Sequence, residues 1–366
     1  MARDAKSDAD IGYLHAAMRH AEAGWGRVHP NPLVGALVVK DGQIIADGHH
    51  REYGGPHAEI EALQAAGEAA RGATLYVTLE PCSHHGKTPP CTDAIIAAGI
   101  ARVVYGAADP NPLAAGGGQV LRQAGIDVRS GVQAETVRRQ NAIFFKLHER
   151  GDCFVALKLA MSLDARLTRT PDARERVTGD VAEREVHRLR SGFDGIMIGA
   201  HTARIDDPQL TVRHARPPIR PPVRIVIDTH ASLSPDSALV RSLDQAPLVV
   251  ICGDDADTVT LTSAGVGVIT VPAPDGRVDL GAALEQLAAA GLHSLLCEGG
   301  ARLGASLLAE DRVDRLYAFL APTLLGTGGT AAFPLQEGVS APRFSIFRIA
   351  RHGEDALLIL DRCLPA

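Results

Sequence analysis

Pro81-Cys82-Ser83-His84-His85-Gly86-Lys87-Thr88-Pro89-Pro90-Cys91, read with His57-Ala58-Glu59 upstream, sets one His, two Cys and a spare carboxylate where they can surround one metal ion. The apolar run at 73–79 before this stretch reads as a buried strand, and 92–98 after it as a helix; a short helix carrying Ile60 and Leu63 begins near His57. Strand, ligand loop and helix in that order place the motif in an α/β layered domain. An ion held by His57, Cys82 and Cys91 keeps one position for water and lowers that water's pKa toward neutrality. Glu59 is then free to take the water's proton and pass it to a ring nitrogen and to departing ammonia. The chemistry implied is zinc-dependent hydrolytic deamination.

Two plainer readings compete with this one. A closed structural zinc site needs a fourth protein ligand, for which His84 and His85 are the nearby candidates, and it gives Glu59 no purpose. A Cys82–Cys91 disulfide suits an oxidising compartment, whereas six Cys are scattered through 366 residues and no secretory leader is evident. If His57 and Cys91 each stand at a helix start, the positive dipole ends face the metal pocket and favour thiolate and hydroxide.

Working outward, Leu14, Ala17, Met18 and Ala21 mark one face of an opening helix that Gly24 to Gly26 end. Runs at 33–39 and 43–46 predict two strands joined by an Asp41-Gly42 hairpin turn. Further strands are expected at 103–105 and 126–128 with a helix between them, followed by one helix over 134–149. The Gly116-Gly117-Gly118 and Pro217-Pro218 stretches read as loops within domains. Residues 1–150 form one expected domain and 151–366 a second. The second half predicts strands at 154–163, 195–199, 221–228, 247–252, 266–271 and 294–297, with helices at 181–189 and 280–290, again an α/β pattern with its own core.

The 46% apolar content suffices for two packed cores, and a formal charge of -6 gives no overall electrostatic footprint for nucleic acid. No apolar run approaches the ~20 residues needed to cross a bilayer. The expectation is a cytoplasmic protein acting on a small molecule, with no nucleic-acid or membrane partner; the sequence is equally compatible with a monomer and a homo-oligomer.

Cytidine-type deaminases place two residues between their Cys ligands, whereas this chain has eight. That longer loop, with Asn31-Pro32-Leu33-Val34-Gly35 and Asp109-Pro110-Asn111-Pro112, resembles the bifunctional riboflavin-biosynthesis deaminase/reductase family. The likeness extends through the second half: Leu157-Lys158-Leu159-Ala160, Ser162-Leu163-Asp164, Asp206-Asp207-Pro208-Gln209-Leu210-Thr211-Val212-Arg213 and Glu298-Gly299-Gly300. It implies a cytidine-deaminase-like α/β/α domain followed by a dihydrofolate-reductase-like α/β domain, with one zinc ion per chain and NADPH as cofactors. It also implies two reactions. A 2,5-diamino-6-ribosylamino-pyrimidinone 5'-phosphate loses its 2-amino group to water, and NADPH then reduces the ribosyl group to ribityl.

In the deaminase half, the resemblance implies a pocket lined by Asn31, His50, His84, Lys87, Asp109 and Asn111. Amide and carboxylate groups suit the edges of a pyrimidine, and Lys87 suits a phosphate. Turn formation before Pro is the alternative for Asn31 and Asn111, and a solvated side chain for His50 or Lys87. In the reductase half, Lys158, Arg190, Leu210, Arg213 and Glu298 are implied substrate contacts. Ala160, Arg176, Thr202, Asp206, Gly300, Ala301, Arg302, Leu303 and Gly304 are implied cofactor contacts. Small residues after a strand let backbone N–H groups approach a phosphate at a helix start, though a Gly pair there also serves as a simple turn. Between Leu167 and Thr178, where many members show a Ser and a Trp, Arg174 and Arg176 occupy the corresponding places. Two other readings stand beside this one: a nucleobase or nucleoside deaminase whose second half binds a nucleotide without reducing anything, and a scaffold with structural zinc.

Overall fold

A computed structural model describes residues 5–84, 89–335 and 342–363. The chain divides into two compact units, Met1–Gly151 and Asp152–Ala366. In the first, α1 (Ala5–Ala21) precedes the strands β1 (Gly35–Lys40) and β2 (Gln43–His49). Their hairpin turns at Asp41 and Gly42, both with positive φ (50° and 77°), the backbone that an Asp-Gly pair supplies at least cost. There follow α2 (Ala58–Ala66), β3 (Thr74–Leu79), α3 (Cys91–Ala97), β4 (Arg102–Ala107), α4 (Gly117–Gln123), β5 (Asp127–Arg129), α5 (Ala134–Gln140) and α6 (Ala142–Arg150).

Among the described residues the sheet runs β2-β1-β3-β4-β5. Its first two pairings are antiparallel, and β3, β4 and β5 are parallel. Successive residues point to opposite layers. Ala36, Val38, Leu75, Val77 and Val103 pack with Ala58, Ala62, Ile95 and Leu121 on one side. Leu37, Val39, Tyr76 and Val104 pack with Leu14 and Ala17 on the other. A sheet covered on both faces explains why 75–79 is buried throughout, Thr78 included. Cys82 and Cys91 are rooted in the first of these cores, just beyond the C-terminal end of β3.

Two expectations are corrected here. The single helix over 134–149 is broken at Asn141 (φ −104°, ψ 28°) into α5 and α6. The Asn141 side chain accepts from the Leu33 N–H at 2.7 Å and donates to the Leu33 carbonyl at 3.0 Å, and the kink serves that distant backbone. The Gly116-Gly117-Gly118 stretch is not a simple loop: Gly116 caps α4, and Gly117 and Gly118 are its first turn. A Cβ on Gly117 would lie 1.8 Å from the Pro81 carbonyl, and one on Gly118 2.7 Å from the Tyr105 hydroxyl. Only glycine lets this helix start press against the ligand loop.

The second unit contains β6 (Phe154–Ser162), α7 (Asp180–Arg190), β7 (Gly195–Gly199), α8 (Ala200–Asp206), β8 (Val223–Ile227), α9 (Ala238–Arg241), β9 (Leu248–Gly253) and α10 (Val259–Ser263). It continues with β10 (Gly267–Val271), α11 (Leu280–Ala289), β11 (Ser294–Cys297), α12 (Ala301–Ala309), β12 (Arg315–Ala321), β13 (Phe344–His352) and β14 (Asp355–Arg362). The described strands form one sheet in the order β10-β9-β8-β7-β11-β6-β12-β14-β13. It is parallel from β10 to β12 and antiparallel over β12, β14 and β13. Leu157, Met197, Ile225 and Leu295 face α11 and α12, while Ile196, Ile198, Val226 and Val250 face the layer holding Ala203 and Leu239. The C-terminal ends of β7 and β11 lead into α8 and α12, so residues after these strands open onto one edge of the sheet.

Candidate active site

In the first unit three donor atoms meet. His57 is the N-cap of α2, and Cys91 is the first residue of α3. The His57 Nδ1 lies 3.3 Å from the Cys91 Sγ and 3.6 Å from the Cys82 Sγ. Ligands at ordinary zinc distances about a tetrahedral centre are separated by about 3.6 Å, so the set fits such an ion. The Cys82 thiol is pulled down to about 4, first by the hydrogen bond from the Cys91 thiol, with the His57 ring and the Cys91 N–H adding to it. An ion bound by both Cys82 and Cys91 would hold both as thiolates.

Glu59, in the first turn of α2, is 4% exposed. Burial pushes its carboxyl up to about 7 against the opposing pull of the His57 ring. A buried carboxyl near neutrality both accepts and releases a proton. Around it opens a cavity of about 240 Å³ whose lining includes Asn31, His50, His57, Glu59, Glu80, Cys82, His84, Asp109, Asn111 and Phe144. The His50 ring joins Pro56 O at 2.9 Å through Nδ1 and Asn31 Nδ2 at 3.1 Å through Nε2. A carbonyl can only accept, so Nδ1 carries the proton, Nε2 accepts from the Asn31 amide, and the Asn31 Oδ1 is left for a ligand. Asp109 Oδ1 accepts from the Asn111 N–H at 2.8 Å, and Asn111 Oδ1 from the Leu113 N–H at 3.1 Å. Both residues thus make turns and also face the cavity. Burial raises the Asp109 carboxyl to about 6. Among the described residues, the buried His84 Nδ1 has no hydrogen-bond partner. Lys87 lies outside the described residues.

In the second unit a cavity of about 390 Å³ is lined by Lys158, Ala160, Thr202, Asp206, Glu298, Gly300, Ala301, Arg302 and Leu303, among others. Glu298 receives two hydrogen bonds from Arg190, at 2.5 and 3.0 Å, and Lys158 Nζ lies 3.8 Å away. Burial alone would raise the Glu298 carboxyl, but the Arg190 and Lys158 charges hold it below its ordinary value. Burial likewise pulls the Lys158 ammonium down, with Glu298 resisting. Gly300 caps α12, and its N–H donates to Thr202 Oγ1 at 2.9 Å. The first residues of that helix, Ala301, Arg302 and Leu303, line the cavity, an arrangement suited to an anion.

Five of the sequence-derived residues of this half lie outside the cavity lining. Arg190 stands behind Glu298, and Arg213 donates to Thr211 Oγ1 at 3.0 Å. Leu210 is buried in the core with positive φ (53°). Gly304 faces Leu157, which a Cβ would approach to 3.3 Å. Arg176 pairs with Asp180 and Glu183.

Comparison with known proteins turns this geometry into a family. The model of the cytidine and deoxycytidylate deaminase zinc-binding region matches residues 7–107, and that of the RibD C-terminal domain matches residues 153–358. The riboflavin biosynthesis protein RibD of Escherichia coli K12 is 38% identical, with 96% of this chain and 99% of that protein covered. The chain belongs to the RibD family. RibD of Aquifex aeolicus is 41% identical over 88% of this chain and 89% of its own length. Among solved structures, Acinetobacter baumannii RibD has a TM-score of 0.81 at 33% identity, covering 98% of this chain and 100% of that one. A deaminase/reductase from Thermotoga maritima has a TM-score of 0.82 at 34% identity, with the same coverage. As a RibD, the protein is a bifunctional enzyme of riboflavin biosynthesis with a zinc-binding deaminase domain and a reductase domain. Among the described residues, no helix is long and apolar enough to cross a membrane.

Several cavity residues of this RibD escaped the sequence reading. Glu80 and Phe144 line the first cavity, and Asp172, Glu175 and His201 the second. Glu80 was visible as the carboxylate just after β3, beside Pro81-Cys82; the other four carried no local signal. Glu183, His187 and His214 also bring donor atoms within 4.8 Å of one another. The Arg213 N–H donates to His187 Nδ1 at 3.2 Å, so the neutral ring carries its proton on Nε2 and offers no lone pair to a metal.

Proposed function

We propose that this RibD removes the 2-amino group of 2,5-diamino-6-ribosylamino-pyrimidinone 5'-phosphate and then reduces the ribosyl group to ribityl with NADPH. The observation that carries the first step is the convergence of the His57, Cys82 and Cys91 donor atoms beside the buried Glu59 carboxyl. One zinc ion, when bound there, supplies a water of lowered pKa and positive charge at the reacting carbon. Glu59 would carry one proton of the water to the ring nitrogen next to that carbon, and a second, from the hydroxyl added there, to the amino nitrogen, which leaves as ammonia. The free Asn31 Oδ1, Asp109, Asn111 and His84 read the ring and its substituents, and Lys87 meets the phosphate.

In the second unit NADPH, when bound, supplies hydride for the sugar carbon. Asp206, Thr202 and the segment Gly300, Ala301, Arg302 and Leu303 would hold the dinucleotide, the start of α12 being suited to its phosphates. Lys158 and Glu298 hold the sugar. Arg190 keeps Glu298 ionised and in place, and Arg213 offers its guanidinium fork to the substrate phosphate. Support for this half rests on the cavity geometry and on family membership.

The test incubates purified protein with the diaminopyrimidine phosphate, with and without NADPH, and follows the products by mass. Deamination alone is expected without NADPH, and the ribityl product with it. Ammonia release without later NADPH oxidation would restrict the protein to the first reaction.

A further inference from the structure

We propose that Glu80 is a positioning residue of the deaminase cavity, holding the Asp109–Asn111 wall at a set distance from the Cys82 ligand. The proposal rests on the deaminase reading of this cavity. Glu80 is 8% exposed, directly follows β3 two residues before Cys82, and lines the cavity. Its two carboxylate oxygens have separate partners. Oε1 accepts from the Gly118 N–H at 2.9 Å, and Oε2 from the Asp109 N–H at 3.3 Å. The first contact is an anchor. Gly118 sits in the opening turn of α4, packed so close to Tyr105 that a Cβ would fall 2.7 Å from its hydroxyl. With one oxygen tied there, the other sets where Asp109 begins its turn. That turn carries Asn111 through the Asp109 Oδ1 bond to the Asn111 N–H. Both side chains that face the substrate therefore hang from a carboxylate fixed to the chain that bears Cys82.

The isosteric change Glu80→Gln separates the two roles. A glutamine has one acceptor oxygen, which goes to the shorter Gly118 bond, and its NH2 group then opposes the Asp109 N–H. The wall shifts while the helix cap is kept. The expected result is a KM for the diaminopyrimidine phosphate raised about tenfold with kcat changed less than about threefold. Zinc content and NADPH oxidation with the deaminated intermediate should match wild type. On an Asp109→Ala background Glu80→Gln should raise KM far less, because its route to the substrate is gone. Should Glu80→Gln fail to accumulate as folded protein, Glu80→Asp is read the same way: it keeps a charge opposite Gly118 and falls short of Asp109. An unchanged KM, a fall in kcat alone, an equal effect on the Asp109→Ala background, or loss of zinc from both variants overturns the proposal. Wild-type protein is assayed first, and its failure to deaminate would overturn the activity reading instead.

Discussion

Arg190 of α7 grips the Glu298 carboxylate beyond β11 through two hydrogen bonds, at 2.5 and 3.0 Å, with both side chains almost withdrawn from solvent (12% and 7% exposed). A buried carboxylate stripped of such a partner costs about 3–5 kcal/mol, so it takes up a proton or moves. Arg190→Met should therefore lower the reductase kcat/KM by about 100-fold or more. Arg190→Lys should restore only part of it, since an ammonium cannot match the two-point geometry. Deamination by the same molecules should be unaffected. Parallel assays of NADPH oxidation and ammonia release check this, and an equal loss of both would show general damage instead.

Glu59→Gln keeps the shape of α2's first turn and leaves all three ligand atoms in place, but it cannot carry a proton. Zinc content should stay at the wild-type level while deamination falls by about 10²–10⁴-fold, the usual range for losing a general acid–base. Removing zinc with a chelator should abolish deamination as well and leave NADPH oxidation with the deaminated intermediate intact. Metal analysis beside the two assays distinguishes the cases, and full ammonia release by Glu59→Gln would rule out the proton-carrying role.

Asp10 is fully buried in α1 and collects hydrogen bonds from Tyr76 at 2.8 Å, Arg102 at 3.0 and 2.8 Å, and Arg129 at 2.6 Å. Burial alone would raise its carboxyl, yet the arginines and Tyr76 hold it below its ordinary 3.8. Asp10→Asn leaves Arg102 without its buried counter-charge and should destabilise the first unit by about 3–5 kcal/mol, while Tyr76→Phe should cost about 1 kcal/mol. A depressed carboxyl contributes stability above its unfolded pKa and gives it up as pH falls through the folded value. The wild-type advantage over Asp10→Asn should accordingly hold at neutral pH and shrink below about pH 4. Denaturant unfolding at several pH values measures both effects.

What the sequence reveals and conceals follows from the range of the interactions involved. The Asp41-Gly42 turn and the helix starts at His57 and Cys91 are local events, legible from adjacent residues. The break at Asn141 was not legible, because its cause is the backbone of Leu33, 108 residues away. The strands β12, β13 and β14 went unread, and exposed Ile346 and Ile349 blur any inward pattern on β13, which lies at the sheet edge. The site divides in the same way. Meeting of the His57, Cys82 and Cys91 donors could be anticipated from motif spacing, whereas the tie from Glu80 to Asp109 spans 29 residues and two strand ends. Arg176 illustrates the opposite case: its two acidic partners, Asp180 and Glu183, lie only four and seven residues ahead, and they draw it to the start of α7.

His187 supplies a pH dependence with a defined sign. It is 1% exposed, accepts the Arg213 N–H at Nδ1, and meets His214 edge-to-face at 5.0 Å. Burial pushes its ring down to about 4, with the Arg190, Arg213 and His214 charges acting in the same direction and Glu298 opposing. The unfolded chain takes up a proton near pH 6.5, and the folded chain only near 4. The stability contributed by the neutral ring is thus complete above about pH 6.5 and is lost as pH falls toward 4, a change of about 2–3 kcal/mol. His187→Asn, whose side-chain oxygen can still accept from the Arg213 N–H, should remove this slope. Unfolding free energies of the second unit measured from pH 7 to pH 4.5 should converge for the two proteins as pH falls. Parallel curves over that range would show that the folded ring titrates where the unfolded one does, and that burial does not hold it neutral.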